Sequence, residues 1–315
     1  MTQAKAPFHA DVAPGPSGAQ AFWAQTSDDL RIRLGLWSTP NARGTVFMFP
    51  GRIEYIEKYA PTAQELANRG LSTFAIDWRG QGLADRMTEN RKVGHVDTFP
   101  DYQKDVAAMR AMAESLNLPK PWFLLAHSMG GGIGLRALIE GLPVEYAAFT
   151  GPMWGIRIAP QLQPFAFLLK HAMPAFGLGH QTPPTTVPDP YVHNATFNGN
   201  MLTKDRAMWD MMGDQIRKHP DLALGGPSYV WLREAIKECN WLHAQPSPDV
   251  PCVTYLGTDE RIVHLGRIHD RMARWPNGHL EIMEHGEHEV LMEVPDMRAQ
   301  VFDDLAARFL KAESA

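Results

Sequence analysis

Cysteine is scarce: Cys239 and Cys252 are the only two in 315 residues. So low a count excludes a disulfide framework and suggests a reducing compartment, and the two could pair only if the fold brought them together. Basic charge is never concentrated. No Lys/Arg run exceeds two residues, and 30 Lys and Arg stand against 35 Asp and Glu for a net charge of −5. A basic nucleic-acid surface is therefore excluded. No stretch has the roughly 18 uninterrupted apolar residues of a membrane span. The opening MTQAKAPFHADVAPGPSGAQ lacks the apolar segment of a secretory signal. These absences predict a soluble cytoplasmic protein with no nucleic-acid partner. Internal repeats are also missing.

What is present is an apolar content of 44%, ample for one large domain or one domain carrying an insertion. Residues 1–18, rich in Pro, Gly and Ala, read as a loose arm. QAFWAQTSDDLRIRLGLW then reads as a hairpin turning at Ser27-Asp28-Asp29. GTVFMFPG, LSTFAIDWRGQG, PWFLLAHS and VEYAAFTGPMW are continuous apolar strands of the kind that a sheet covered on both faces needs. Helical segments separate them. One starts near Pro61 and ends before Gly70. A second places Tyr102, Val106, Met109, Ala113 and Leu116 on one face, and a third ends at Gly141-Pro143. This alternation predicts a mostly parallel α/β sheet flanked by helices, with ligands at the carboxyl ends of its strands.

The rhythm stops over residues 156–245, which carry prolines, helix-like pieces and no convincing buried strand. It resumes with PCVTYLGTDE, a helix over 265–275, the strand HLEIMEH, and a last helix with Val301, Phe302, Leu305 and Phe309 on one face. The expected organisation is a core in two parts, 19–155 and 246–315, with 156–245 inserted as a helical cap across the carboxyl edge of the sheet.

LLAHSMGGG drives one buried strand into Ser128 and a run of glycines. An ordinary tight turn would read the same way. A strand-to-helix elbow that holds a nucleophilic serine accounts for more, because positions two before and two after the serine must be small, and Ala126 and Gly130 occupy them. The helix that follows aims its amino-terminal amides at the reacting group. A serine hydroxyl needs a base, an acid to orient that base, and N–H donors for the oxyanion. Of thirteen histidines, His285 is near the end of the last strand and His288 on the loop after it. His288, on the loop, is the expected base, and His285 is expected to be packed. A metal pair formed by the two would lack further ligands nearby, so no metal is expected. YLGTDERIV offers Asp259 as the orienting acid, with Glu260 expected to face solvent. The chain order Ser128, Asp259, His288 suits this architecture. The expected oxyanion donors are the amides of Met129 and of Arg52, which follows Pro50-Gly51.

These motifs resemble the monoglyceride lipase and lysophospholipase L2 branch of the α/β-hydrolase superfamily, over nearly the whole chain beyond the arm. PGRIEYIEKY (50–59) is similar to the H-G-x-x-E-H-x-x-R-Y oxyanion loop, with Pro50 in place of the histidine. DWRGQGLADR (77–86) and GHVDTFPDYQKDV (94–106) resemble two further loops of that branch, and AHSMGG (126–131) its elbow, with Ala126 departing from glycine. GTDERIV resembles the G-x-x-D-x-x-V acid loop, and GEHEVLME the histidine loop ending H-E-x-x-x-E. NGNMLTKDRAMW and GGPSYVWLREA look like cap stretches of bacterial lysophospholipase-like members. The resemblance implies an α/β-hydrolase fold and a serine hydrolase that cleaves a lipid-like carboxylic ester through an acyl-enzyme, with no cofactor.

The cap is expected to choose the substrate. QPFAFLLKHAMPAFGLG (163–179) and MWDMMG (208–213) are apolar and methionine-rich, and Phe165, Phe167, Leu168, Trp209 and Met212 are candidates to line an acyl-chain pocket. Transient contact with a membrane surface is compatible with the apolar face of 163–179. Two other functions fit the fold. An aminopeptidase or C–C hydrolase is one, and Asp205, Asp210 and Asp214 could hold a substrate ammonium. A non-catalytic module binding a lipid or small ligand is the other.

Overall fold

A computed structural model describes residues 4–157, 173, 176–183, 186 and 189–312. Eight strands form one sheet in the order β1-β2-β4-β3-β5-β6-β7-β8. The hairpin β1 (Gln20–Gln25) and β2 (Arg31–Trp37) enters antiparallel, and β2 runs antiparallel to β4 (Ser72–Asp77). From β4 onward every pairing is parallel, through β3 (Thr45–Phe49), β5 (Trp122–His127), β6 (Tyr146–Thr150), β7 (Cys252–Gly257) and β8 (Gly278–Met283). Every residue of β3, β4, β5, β6 and β7 is buried, which is why these strands read as unbroken apolar runs rather than alternating ones. The edge strand β8 is half exposed along most of its length.

Helices α1 (Ala60–Asn68), α2 (Tyr102–Ser115), α3 (Met129–Ile139), α4 (Arg206–Lys218), α5 (Tyr229–Ala244), α6 (Leu265–Ala273) and α7 (Pro295–Ala312) accompany the sheet. Tyr102, Val106, Met109 and Ala113 of α2 are buried as their spacing predicts, while Leu116 just past the helix is half-buried. Two apolar cores result, one on each face of the sheet. The segment between β6 and β7 contributes α4, α5 and short helical turns at Tyr191–Asn194 and Pro220–Leu222, and no strand among its described residues. Asp205 caps α4 by accepting from the amides of Ala207 and Met208, and Ser228 caps α5 by accepting from Trp231 N.

The amino-terminal arm differs from the loose segment expected. Trp23 N donates to Ala4 O at 2.9 Å and Ala6 N to Ala21 O at 2.9 Å, so the arm pairs beside β1. Phe8 meets Trp37 edge-on, and the carbonyls of Pro7 and Val12 accept from Arg33 and Gln215. The backbone groups that the proline- and glycine-rich composition left without helix or strand partners are thus met by the domain itself. The cysteines remain free and buried. No helix among the described residues is long and apolar enough to cross a membrane.

Val301, Phe302, Leu305 and Phe309 of α7 are fully buried, and the Phe309 ring stacks on Phe123 of β5 with centroids 4.6 Å apart. Phe309→Ala should cost about 3–5 kcal/mol, measured as a lower midpoint in urea denaturation with an unchanged slope.

Candidate active site

Ser128 sits at the junction of β5 and α3 with φ +49° and ψ −116°. A non-glycine residue adopts such a conformation only when its surroundings over-determine it. Here they do. Ser128 N donates to Thr150 O at 3.0 Å, and its carbonyl accepts from Gly131 N at 2.9 Å and Met153 N at 2.8 Å. The small-residue rule has a direct cause. A side chain at Gly130 would collide with the Phe49 carbonyl, and a Cβ at Gly134 would lie 3.2 Å from Ala126 Cβ. Alanine at 126 therefore fits because the facing helix residue is glycine.

His288 is buried on the loop after β8, and its Nδ1 lies 2.5 Å from Oε2 of Glu260. The other oxygen of Glu260 accepts from Ile262 N at 2.6 Å and Val263 N at 3.2 Å. Burial alone would raise this carboxyl, but His288 and the two amides more than offset it and hold it below the usual carboxylate range. Gly151, at φ +46°, closes the back of the pair: a Cβ there would stand 3.0 Å from both Glu260 Oε2 and His288 Nδ1.

The acid expected from the sequence is not the one brought to the histidine. Asp259 points its carboxylate at Lys204 Nζ, 2.6 Å away, with side chains 39% and 43% exposed. Glu260, expected in solvent, is 3% exposed. The two loops fix this choice. Asp259 N donates to Gly286 O and Thr258 N to Met283 O, and a side chain at Gly257 would collide with the Gly286 backbone. With the loops so close, the residue after Asp259 is the one turned inward. Counting along G-x-x-D-x-x-V would have found it: with Gly257 first and Val263 seventh, the acid position is Glu260. His285, expected to be packed, is exposed at φ +62° and forms no metal-ligand cluster with His288 among the described residues.

The loop at 50–54 is pinned from several sides. Trp78 Nε1 donates to Pro50 O at 2.9 Å, Gln81 Nε2 to Gly51 O at 3.2 Å, and Ile53 N to Gln81 Oε1 at 2.8 Å. These contacts hold Ile53 at φ +73°, a strained value for a β-branched residue. Gly51 N donates to Glu54 Oε2. The amide of Arg52 has no acceptor among the described residues, and that of Met129, first in α3, has none within its helix. Arg52, Met129, Ser128 and His288 line one cavity of about 360 Å³, together with Met153, Ile156, Tyr191, Met212, Ile216 and Trp231. Of the expected acyl-pocket residues, Met212 lines this cavity. Trp209 is buried and packs edge-on against Tyr191 and Phe197 instead. Phe165, Phe167 and Leu168 lie outside the described residues.

A buried charge cluster underlies the cavity; its members lie in the motifs PGRIEYIEKY, AHSMGG and GEHEVLME, but the sequence did not show that they meet. Lys58 Nζ donates to Glu54 Oε1 and to Glu289 Oε1, each at 2.6 Å, while Tyr59 OH donates to Glu54 Oε2 at 2.5 Å. His127, next to Ser128, has Nε2 3.4 Å from Glu289 Oε2 and 3.6 Å from Glu54 Oε1, and Nδ1 2.9 Å from Thr150 Oγ1. Glu54, His127 and Glu289 are near enough to share a cation, and the Lys58 ammonium supplies one. Burial would lower the pKa of His127, but Glu289 and Glu54 outweigh it and raise it. Burial would likewise raise Glu289, but His127 and Lys58 hold it well below the carboxylate range.

The elbow on an eight-stranded, mostly parallel sheet defines an α/β-hydrolase fold. A family model described as serine aminopeptidase, S33, matches residues 40–295, and the chain belongs to that family. Lysophospholipase L2 of Escherichia coli K12 is 31% identical over 303 residues, covering 88% of this chain and 86% of that protein. A monoacylglycerol lipase of Mycolicibacterium smegmatis is 32% identical over 127 residues, 39% of this chain and 43% of that one. Among solved structures, a soluble variant of monoglyceride lipase from Saccharomyces cerevisiae in complex with a substrate analog superposes with a TM-score of 0.72 at 19% identity, over 98% of this chain and 99% of that one. The chain is an ester-hydrolysing enzyme.

The raised pKa of His127 has a definite sign. Its contribution to stability is fully present below the ordinary histidine value of 6.5 and is lost as pH rises through the raised folded value. Urea denaturation across a pH series should therefore show the stability difference between wild type and His127→Gln shrinking above pH 6.5. A difference that grows with pH would contradict a protonated His127.

Proposed function

We propose that the protein is a serine hydrolase that cleaves the carboxylic ester of a lysophospholipid or monoacylglycerol through an acyl-enzyme on Ser128. The observation that carries this reading is the strained serine opening into the same apolar cavity as a histidine held 2.5 Å from a buried carboxylate. His288 takes the Ser128 proton as Oγ attacks the ester carbonyl. Glu260, in the place expected for Asp259, fixes the imidazole and stabilises the imidazolium. The amides of Met129 and Arg52 receive the oxyanion. Collapse of the tetrahedral intermediate breaks the ester C–O bond, and His288 protonates the leaving alcohol. Water, deprotonated by His288, then attacks the acyl-enzyme; the acyl C–Oγ bond breaks, His288 returns the proton to Ser128 Oγ, and the acid leaves.

The segment between β6 and β7 acts as the cap over this site in our reading. Tyr191, Met212, Ile216 and Trp231 come from it and line the cavity, which suits one acyl chain. The backbone of the histidine loop also leans on it, with His288 N donating to Met201 O at 3.3 Å and Glu289 N to Leu202 O at 2.9 Å.

Release of an amino-terminal residue fits less well. Asp205 binds Arg298, Asp210 binds Arg206 and Asp214 binds Arg217. None of the three lines the cavity, and the carboxylates that do, Glu54 and Glu289, already hold Lys58.

Treatment with a fluorophosphonate followed by intact mass should give one adduct on wild type and none on Ser128→Ala. Folded wild type without an adduct would overturn the reading. Glu260→Gln should lower kcat on a monoacylglycerol about 10³–10⁴-fold. Asp259→Asn should stay within about threefold, since among the described residues its carboxylate binds Lys204 and Thr258 and not His288. The reverse ranking would return the acid role to Asp259.

A further inference from the structure

Buried cations in this protein are, as a rule, matched by carboxylates. Arg33 binds Glu57 and Asp77, Lys58 binds Glu54 and Glu289, and Arg79 binds Asp28 and Asp105. Among the described arginines drawn down by burial to a pKa of about 10, Arg52, Arg86 and Arg271 make no such pair. Arg271 is instead met by Gln245 O, Ser247 Oγ and Leu242 O, away from the cavity. Arg86 donates to Gly82 O and is also absent from the cavity wall. Arg52 alone of the three lines the cavity that holds Ser128 and His288.

The Arg52 guanidinium is held in place but not neutralised. Nη1 donates to Gly225 O at 2.8 Å, and Cζ lies 5.4 Å from the Trp231 ring centre. A Cβ at Gly94 would come within 3.1 Å of Nη1, so the backbone at Gly94 makes room for the group. One described acceptor serves a group with five N–H donors. No carboxylate pairs with it among the described residues, and those undescribed between 158 and 188 contain no Asp or Glu. A pKa near 10 keeps the group charged at neutral pH. The residue is half-buried on the cavity wall, and a planar guanidinium with free donors there matches phosphate or carboxylate.

We infer that the Arg52 side chain is an anion subsite within the substrate cavity, and that it receives the phosphodiester of a lysophospholipid whose ester carbonyl lies over Ser128. The inference rests on the ester-hydrolase reading above and chooses between its two substrates. The reach agrees. In a glycerophospholipid, phosphorus lies six bonds from the ester carbonyl carbon, about 7 Å when extended. An arginine side chain places its guanidinium about as far from its own amide, which is the amide assigned to the oxyanion. One residue would then hold the substrate at both ends of its glycerol. A monoacylglycerol presents only a hydroxyl at that place and would leave the guanidinium unmatched.

The test is the ratio of kcat/KM for palmitoyl lysophosphatidylcholine to that for 1-palmitoylglycerol, each measured below its micellar concentration. Arg52→Met should lower this ratio about 10–100-fold, and Arg52→Lys should recover part of the loss. Because the substitution also touches the oxyanion loop, both rates can fall, and the ratio is the readout. An unchanged ratio would overturn the subsite. A measurement on wild type alone gives independent support: glycerol 3-phosphate should inhibit hydrolysis of p-nitrophenyl butyrate competitively, and glycerol should not. Equal effects of the two would count against the subsite. Wild type that cleaves the monoacylglycerol without preferring the lysophospholipid would overturn the subsite and leave the ester-hydrolase reading standing. Wild type that cleaves neither lipid would overturn the substrate reading itself. Release of palmitate from 1-palmitoylglycerol 3-hemisuccinate in preference to the lysophospholipid would overturn the phosphodiester assignment in favour of a carboxylate.

Discussion

One ammonium ion holds together the parts of the site that come from separate stretches of chain. Lys58 Nζ lies 2.6 Å from Glu54 on the loop after β3 and 2.6 Å from Glu289 beside His288. His127, the residue before Ser128, faces both carboxylates. The loop of the proposed oxyanion donor, the end of the elbow strand and the histidine loop thus meet on a single buried cluster. Two carboxylates could not remain charged there without it, and removing one member of such a cluster leaves an uncompensated buried charge. The cluster also fixes direction, because the two oxygens of Glu54 hold different partners. Oε1 takes Lys58, and Oε2 takes the Gly51 amide and the Tyr59 hydroxyl.

Above this cluster the backbone carries strain. Ser128 at φ +49° and Ile53 at φ +73° both occupy conformations that side chains disfavour. Each is held by contacts from neighbouring strands and loops, so the energy comes from the packed sheet rather than from the turn itself. A rigid base of this kind suits a reaction in which donors must already be aimed when charge develops. The cavity wall from the segment between β6 and β7 is of another character. Met201, Met212 and Ile216 line it, and flexible apolar side chains accept acyl chains without a fixed shape.

Much of the fold was legible because burial on both faces of a parallel sheet leaves an unbroken apolar signature. β3 to β7, the helices between them and the buried face of α7 all follow from it. The elbow was legible for a steric reason, since Ala126 and Gly130 mark where backbones crowd; that Gly134 faces Ala126 was decided by the fold. Docking of the arm was not legible. Its partners, such as Arg33 and Gln215, lie far along the chain, and composition reports only local propensity.

The sequence by itself determined the order of strands and helices, the serine at the strand-to-helix junction and the histidine after the last strand. Each is a local property, written in spacing and residue size. Tertiary structure decided which of two adjacent acids meets that histidine. Asp259 and Glu260 are neighbours after the same strand, and only the contact between Gly257 and Gly286 turns Glu260 inward and leaves Asp259 to Lys204. Tertiary structure also decided that Arg52 meets no carboxylate among the described residues. A residue's charge can be read from the chain, but whether another charge stands opposite it depends on residues brought together by folding.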